Sequence, residues 1–217
     1  MRYIILIALG VCAALAPAAS RAEPQGSGPC AYDREAMLRL DRNSFDQDDE
    51  LGWRKLGNRA ECRTVAADLI ALYIEAHRDE LARVWQIPSF KWHEATTRAF
   101  AGDRARAIAL MHQSLKPEAG PREFEGWTAY ALPWNDYVKA TIAFLERDAE
   151  ALAKARERLA ASPVPDDFSK TDISAATGIA ASWPPNLGVV DGLIACFDRP
   201  YLEAYGSIEC REAGKRR

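Results

Sequence analysis

The sequence predicts an all-α protein that follows a cleaved leader. From about residue 30 onwards, Ala, Leu and Ile recur at helical spacing, and no strand-like alternation continues for more than a few residues. Residues able to cap helices stand before these segments, and Gly or Pro residues separate them. The four cysteines after the leader are an even number, which is typical of disulfide bonds in an exported chain. We therefore expect one helical domain at residues 30–212 with two disulfides.

Residues 1–22 have the three parts of a secretory signal peptide. Arg2 is the positive start, residues 3–15 are apolar, and Ser20-Arg21-Ala22 places small residues at positions −3 and −1 of a cleavage site. The apolar run of about 13 residues is shorter than the roughly 20 that span a membrane, and no later segment approaches that length without charges. Cys12 lacks the lipid-attachment pattern before it. We predict cleavage after Ala22, no transmembrane span, and a periplasmic or secreted location.

The composition of the exported part is mildly acidic. Residues 1–22 contain two of the 28 basic residues and none of the 31 acidic ones, so the net charge after cleavage is near −5. Nucleic-acid binding needs a basic stripe, so we expect no nucleic-acid partner. Residues 23–29 predict a flexible N-terminus and residues 213–217 a basic tail. The sequence leaves the oligomeric state open.

Three helices are predicted in the first part of the domain. Asp33 can cap a helix over residues 34–42, and a second helix near residues 48–56 ends at Gly57. The clearest helix is at residues 60–76, where the apolar residues recur on one face.

Two helical pairs and a C-terminal pair follow. Ser89 can cap a helix that ends at Phe100, and Asp103 caps its return helix to about residue 115, with Gly102 in the turn. After a loop at residues 116–126, Asn135 or Asp136 caps a helix to about residue 146, and residues 149–161 form its return. Residues 162–185 are either a functional loop or contain a short helix at 173–181. A helix at 186–197 and a short one from residue 200 end the domain.

The cysteines allow three disulfide connectivities. The pairs closest in sequence, Cys30 with Cys62 and Cys196 with Cys210, cost the least chain entropy to close and are the pairing that we expect. No Cys-x-x-Cys pair is present, which favours a structural role over a redox role.

Residues 92–115 resemble one tetratricopeptide repeat. The matching positions are the small residue of the first helix, the turn glycine, and the apolar face of the second helix: Ala95, Gly102, Ala107, Ile108, Met111 and Leu115. Residues 53–57 and 151–159 show weaker likenesses. The resemblance implies stacked antiparallel helical hairpins.

Three short sequence segments resemble segments of uncharacterised exported bacterial proteins with tetratricopeptide-like folds. They are Trp92-His93-Glu94, the segment 134–142 and the segment 190–197. This resemblance implies the fold and the compartment, and it implies no activity.

The sequence contains no recognisable catalytic motif or cofactor loop. The acidic run at residues 46–50 fits no EF-hand register, and it indicates a helix N-terminus instead of a metal site. No Ser or Cys stands in a nucleophile elbow and no Gly-rich loop precedes a helix, so we expect no cofactor and no metal. Six Trp residues offer aromatic anchors for a ligand. The candidate binding residues are Trp92, His93, Trp127, Trp134, Asn135, Asp136 and Trp183.

Three functions remain open, of which we expect the first. A groove on the helices binds a protein or peptide in the cell envelope. Alternatively, the chain is a small envelope enzyme that uses His93 and Glu94 in acid–base chemistry, with a second imidazole from His112. The third possibility is a structural envelope protein without a ligand.

Overall fold

The protein is all-α wherever its structure is described, as the sequence predicts. The computed structural model describes residues 26–118, 127–166, 168 and 182–215, with only the backbone described at 127–129. The predicted signal peptide and the possible helix at 173–181 lie outside these ranges. Within them there is no β-strand, and short 3-10 helices lie at Gly28–Cys30 and Ala60–Cys62. The α-helices of the described ranges are α1 (Arg34–Leu38), α2 (Arg42–Asp46), α3 (Gly52–Gly57), α4 (Arg63–Ala76), α5 (Arg78–Arg83), α6 (Ile87–Phe100), α7 (Arg104–Gln113), α8 (Trp127–Glu146), α9 (Ala149–Ala160), α10 (Leu187–Ala195), α11 (Tyr201–Gly206) and α12 (Ile208–Lys215).

Aspartate side chains begin four of these helices. Asp33, Asp41, Asp103 and Asp148 each accept a hydrogen bond from a main-chain N–H in the first turn. Such a bond satisfies one of the N–H groups that have no partner within the helix. The predicted caps at Asp33 and Asp103 are confirmed. The cap at Asp41 begins α2, so the predicted helix at 34–42 is two shorter helices.

The start of α8 is the largest difference from the predicted elements. The helix begins well before Asn135 and Asp136 and contains Pro133. Neither predicted cap is available for capping, because the Asn135 amide pairs with the main chain of Lys116 and the Asp136 carboxylate pairs with Arg158. The prediction that a helix starts at one of these two residues is therefore wrong.

Two other helices extend beyond their predicted bounds. Helix α6 begins before Ser89 and has Pro88 in its first turn, where the missing N–H of proline would have no partner in any case. Helix α12 continues to Lys215, so residues 213–215 of the predicted tail are helical. A Cβ atom at Gly214 would lie 2.6 Å from the carbonyl carbon of Asp191. Glycine therefore lets α12 pack directly against α10.

Two disulfides connect the cysteines in the predicted pairs. Cys30 bonds Cys62 across a sequence separation of 32, and Cys196 bonds Cys210 across a separation of 14. Each bond restricts the unfolded chain and stabilises the fold by about 3 kcal/mol.

The apolar side chains form two cores that meet at α6. The N-terminal core surrounds Phe45, Tyr73 and Phe90, whereas the C-terminal core includes Trp92 and Phe144. Phe90 and Trp92 are neighbours on α6, so this helix contributes to both cores. A site on α6 is consequently positioned by both halves of the protein.

Helices α6 and α7 form the predicted helical hairpin. Gly102 in the turn has a φ of 87°, which favours glycine, and Ala95 and Ala107 are fully buried in the C-terminal core. Helices α8 and α9 form a second hairpin, with a short turn before the cap at Asp148. The likeness to a tetratricopeptide repeat stays a prediction.

Tyr201 has a buried hydroxyl without a hydrogen-bond partner in the described part of the chain. Its ring packs against Phe100, Phe144 and Tyr205. Burial, together with the nearby Tyr205, raises the pKa of Tyr201 well above its usual value. The hydroxyl loses its hydration on folding, and no described residue gives it a hydrogen bond in return.

The substitution Tyr201→Phe is expected to raise the free energy of unfolding by about 1 kcal/mol, because it removes this unpaired hydroxyl. Tyr137→Phe is the matched control, since the Tyr137 hydroxyl lies 2.9 Å from the Tyr205 hydroxyl. We expect Tyr137→Phe to lower the free energy of unfolding by about 1 kcal/mol, because it removes this hydrogen bond. Urea unfolding measures the free energy of unfolding of both variants. An equal loss of stability in the two would contradict the conclusion that the Tyr201 hydroxyl has no hydrogen-bond partner.

None of the helices in the described ranges is both long enough and apolar enough to cross a membrane.

Candidate functional site

A cleft of about 330 Å³ lies where the two cores meet. It is bounded by the end of α2, the first two turns of α6, the middle of α8, the residue before α10 and the C-terminal part of α11. The side chains that line it are those of Asp46, Gln47, Gln86, Ser89, Trp92, His93, Trp134, Tyr137, Asn186 and Tyr205.

Asp46 is a buried carboxylate beside the cleft, with only 5% of the residue exposed. Its Oδ1 accepts a hydrogen bond from the Trp53 indole at 2.8 Å and lies 2.7 Å from Nδ1 of His93. Its Oδ2 accepts from the Gln47 amide. Burial alone would raise the pKa of Asp46, but the interactions with His93 and Trp53 and the nearby Arg54 cation hold that pKa below its usual value. Asp46 is therefore ionised at neutral pH.

The ionised Asp46 determines which nitrogen of His93 carries hydrogen. A carboxylate can only accept, so Nδ1 of His93 is the donor in this pair. In the neutral ring, Nε2 then has an open lone pair, and no residue in the described ranges hydrogen-bonds it. The His93 side chain is 22% exposed. The imidazole is thus held in one orientation by Asp46 and can accept a proton at Nε2.

Three aromatic rings form one side of the cleft. The ring of Trp92 lies 5.7 Å from that of Trp134 and 4.7 Å from that of Tyr137, measured between centroids. The Trp134 indole donates to the main-chain oxygen of Ser114 at 2.8 Å. The ring of Trp134 is fixed by this bond and is only partly buried, so it offers an apolar surface at a fixed position.

The structure brings together three of the predicted binding residues and places two others elsewhere. Trp92, His93 and Trp134 line the cleft. The Asn135 amide makes two hydrogen bonds of 2.8 Å with the main chain of Lys116. The Asp136 carboxylate accepts from Arg158 on α9 at 2.7 Å. Asn135 and Asp136 therefore join elements of the fold and do not line the cleft.

Two predicted tryptophans are not part of this cleft as described. Trp183 donates to the main-chain oxygen of Ser162 at 2.9 Å, and its ring packs against Tyr130 and Phe168. These contacts of Trp183 hold the segment before α10 against the residues that follow α9. The side chain of Trp127 lies outside the described part of the structure.

Glu94, the predicted acid–base partner of His93, is turned into the fold. An α-helix has 3.6 residues per turn, so neighbouring side chains point in different directions. The Glu94 carboxylate accepts from Arg98 at 2.9 Å and from Lys91 at 3.1 Å. His112 is exposed on α7 and does not line the cleft. The carboxylate that contacts His93 is that of Asp46.

Sequence reasoning missed Asp46 and Ser89 as site residues. The sequence predicts Asp46 at an acidic helix start, whereas the residue ends α2, and no local pattern relates it to a histidine 47 positions later. The sequence predicts Ser89 as a helix cap, whereas it lies inside α6. The spacing of four between Ser89 and His93 was the available signal, because such residues share one helix face.

No protein-family model matches the chain, and searches of curated proteins and of solved structures give no significant match either. The resemblance to exported tetratricopeptide-like proteins therefore stays a prediction. Within the described ranges, no three His, Cys, Asp or Glu residues are grouped so that they could hold a metal ion.

Proposed function

We propose that this chain is an exported protein that binds a protein or peptide partner in the cell envelope. The observation that supports the proposal is that Trp92, His93 and Trp134 surround a single cleft. Its volume of about 330 Å³ is at the lower end of the range for ligand sites. A cleft of this size accommodates one anchoring side chain or a chain end of the partner.

The composition of the cleft suits an anchor with an apolar body and a polar end. Trp134 supplies apolar surface, and aromatic side chains carry much of the binding energy in protein interfaces. Gln47, Gln86 and Asn186 also line the cleft, and their amide groups can donate and accept hydrogen bonds. The partner would place its apolar part on the aromatic rings and its polar end among these amides.

The predicted signal peptide and the two disulfides support the exported location in this proposal. Disulfides persist in oxidising compartments, and they are rare in the cytosol.

Site-specific photo-crosslinking in the native cell envelope tests the proposal. A photoreactive residue at Gln86, which lines the cleft, is expected to yield a discrete crosslinked partner. The same residue at Gln113, which is exposed on α7 and away from the cleft, is the matched control and should yield none. Adding Trp134→Ala to the Gln86 variant should remove the adduct. Equal adducts from both positions, or none from Gln86 in a folded protein, would argue against the cleft as a binding site.

A further inference from the structure

Ser89 lies one turn before His93 on the same face of α6. Residues separated by four positions on a helix are surface neighbours, and both side chains line the cleft. The Nδ1 nitrogen of His93 donates a hydrogen bond to the buried carboxylate of Asp46. A hydroxyl and an imidazole with a carboxylate partner, the three groups that nucleophilic serine sites use, thus lie beside one cleft.

We propose that Ser89, His93 and Asp46 form a serine nucleophile site that reacts with carboxylic esters held in the cleft. Ser89 is the nucleophile, His93 is the general base, and Asp46 orients the imidazole and stabilises its protonated form. This activity goes beyond binding, because recognition of a partner requires none of these three roles. The aromatic rings of Trp92 and Trp134 would hold an apolar part of the ester.

The first geometric support is the open Nε2 of His93. In serine sites the nitrogen that faces the hydroxyl must be unprotonated, and the carboxylate fixes this tautomer by accepting from the other nitrogen. The lowered pKa of Asp46 and its 2.7 Å contact with Nδ1 meet this requirement. The Trp53 indole, which donates to Oδ1 at 2.8 Å, holds the carboxylate in place.

The second support is the position of Ser89. The residue is half-buried, and among the described residues nothing hydrogen-bonds its hydroxyl. Ser89 and His93 are not hydrogen-bonded to each other in the structure, so the two side chains must approach each other before reaction. Such bonds commonly tighten only when substrate is present.

The third support is the first turn of α6. The main-chain N–H of Ser89 lies among the N–H groups that have no carbonyl partner within the helix. The positive end of the helix dipole is at the same place. Both features favour negative charge on an oxygen next to Ser89, which is where an oxyanion would form.

The reaction balances with water as the only co-reactant. The Ser89 oxygen bonds to the ester carbonyl carbon while its proton moves to Nε2 of His93. The C–O bond to the alcohol then breaks, and Nε2 returns the proton to the leaving oxygen. Water, deprotonated by His93, adds to the acyl-serine carbonyl. The bond between the acyl carbon and the Ser89 oxygen then breaks, and Nε2 of His93 returns the proton to that oxygen. The products are the carboxylic acid, the alcohol and the restored Ser89.

A fluorophosphonate probe tests the site without knowledge of the natural ester. Its phosphorus bonds to an activated serine oxygen, fluoride leaves, and the proton passes to the base. We expect intact-mass and peptide analysis to find one adduct, at Ser89, in the full exported chain. Ser89→Ala should abolish it, and His93→Gln should slow it by at least about 100-fold. The matched control is Ser162→Ala, because Ser162 is also half-buried and its hydroxyl donates to the main-chain oxygen of Arg158. It should label at the wild-type rate.

The proposal is overturned if the folded wild-type chain gives no adduct at Ser89, or if His93→Gln labels as fast as wild type. Thermal melting confirms that each variant is folded. If His93→Gln does not fold, Asp46→Asn is tested in its place. An adduct at Ser89 without a partner crosslinked from Gln86 supports the nucleophile and refutes the binding proposal. A crosslinked partner without an adduct at Ser89 supports the binding proposal and refutes the serine nucleophile.

Discussion

Replacing Glu94 with alanine is expected to lower the free energy of unfolding by about 3–5 kcal/mol. Arg98 is only 2% exposed, and it donates through Nε and Nη2 to the Glu94 carboxylate at 3.1 and 2.9 Å. Its remaining partner is Asp68 on α4, at 2.8 Å. Burial lowers the pKa of Arg98, but the hydrogen bonds with Asp68 and Glu94 outweigh burial and raise it above its usual value. Removing Glu94 leaves this buried cation with one half-exposed partner. Urea unfolding measures the loss.

A double variant separates the charge effect from the loss of packing. Glu94→Leu with Arg98→Met replaces the buried pair by apolar groups of similar size, which is often neutral in other proteins. We expect the double variant to recover most of the stability lost in Glu94→Ala. If it is instead as unstable as Glu94→Ala, the pair itself is not the cause. The mild variant Glu94→Gln keeps an oxygen that can accept from Arg98, so we expect α6 to hold its rotation and the labelling rate of Ser89 to stay unchanged.

The parts of the fold that the sequence predicts are those that local chemistry determines. Asp33 and Asp103 cap helices because their carboxylates reach main-chain N–H groups only three residues away. Helix α4 is predicted from its apolar spacing, which the structure confirms by burying Leu69 and Tyr73. The short helices α2 and α5 are not predicted, because helices of five or six residues are unstable alone and form only through tertiary contacts.

The cleft is predicted only in part, for a similar reason. Trp92 and His93 stand next to each other in the sequence, and Trp134 is a conspicuous aromatic residue beside Pro133. The partner of His93 comes from a helix that the sequence does not indicate, and the two are related only by packing. The wrong helix start at Asn135 and Asp136 has the same origin, since a polar residue can satisfy its hydrogen bonds by capping or by a distant contact.

Helix α6 connects the stability of the fold to the chemistry of the cleft. Glu94 and Arg98 face α4 and are buried, while Ser89 and His93 face the cleft on another side of the same helix. The buried ion pair fixes how α6 is rotated against α4, and this rotation decides which side chains reach the cleft. A rigid supporting helix is what a site of precisely placed groups requires.

Phe45→Ala is expected to lower the free energy of unfolding by about 3–5 kcal/mol and also to release Asp46 from His93. Phe45 is fully buried in α2, and its ring stacks on that of Tyr73 with 3.7 Å between centroids. Because α2 is short, it depends on tertiary contacts such as this stacking, and Asp46 is the next residue. Phe144→Ala is the matched control, since Phe144 is equally buried but lies in the C-terminal core.

Diethylpyrocarbonate modification of His93 reports the release of Asp46, because Asp46 orients and partly shields the imidazole. We expect faster modification in Phe45→Ala and the wild-type rate in Phe144→Ala, with both measured where the variants remain folded. Equal rates in the two variants would mean that the hydrogen bonds from Trp53 and Arg54 on α3 hold Asp46 in place without the packing of Phe45.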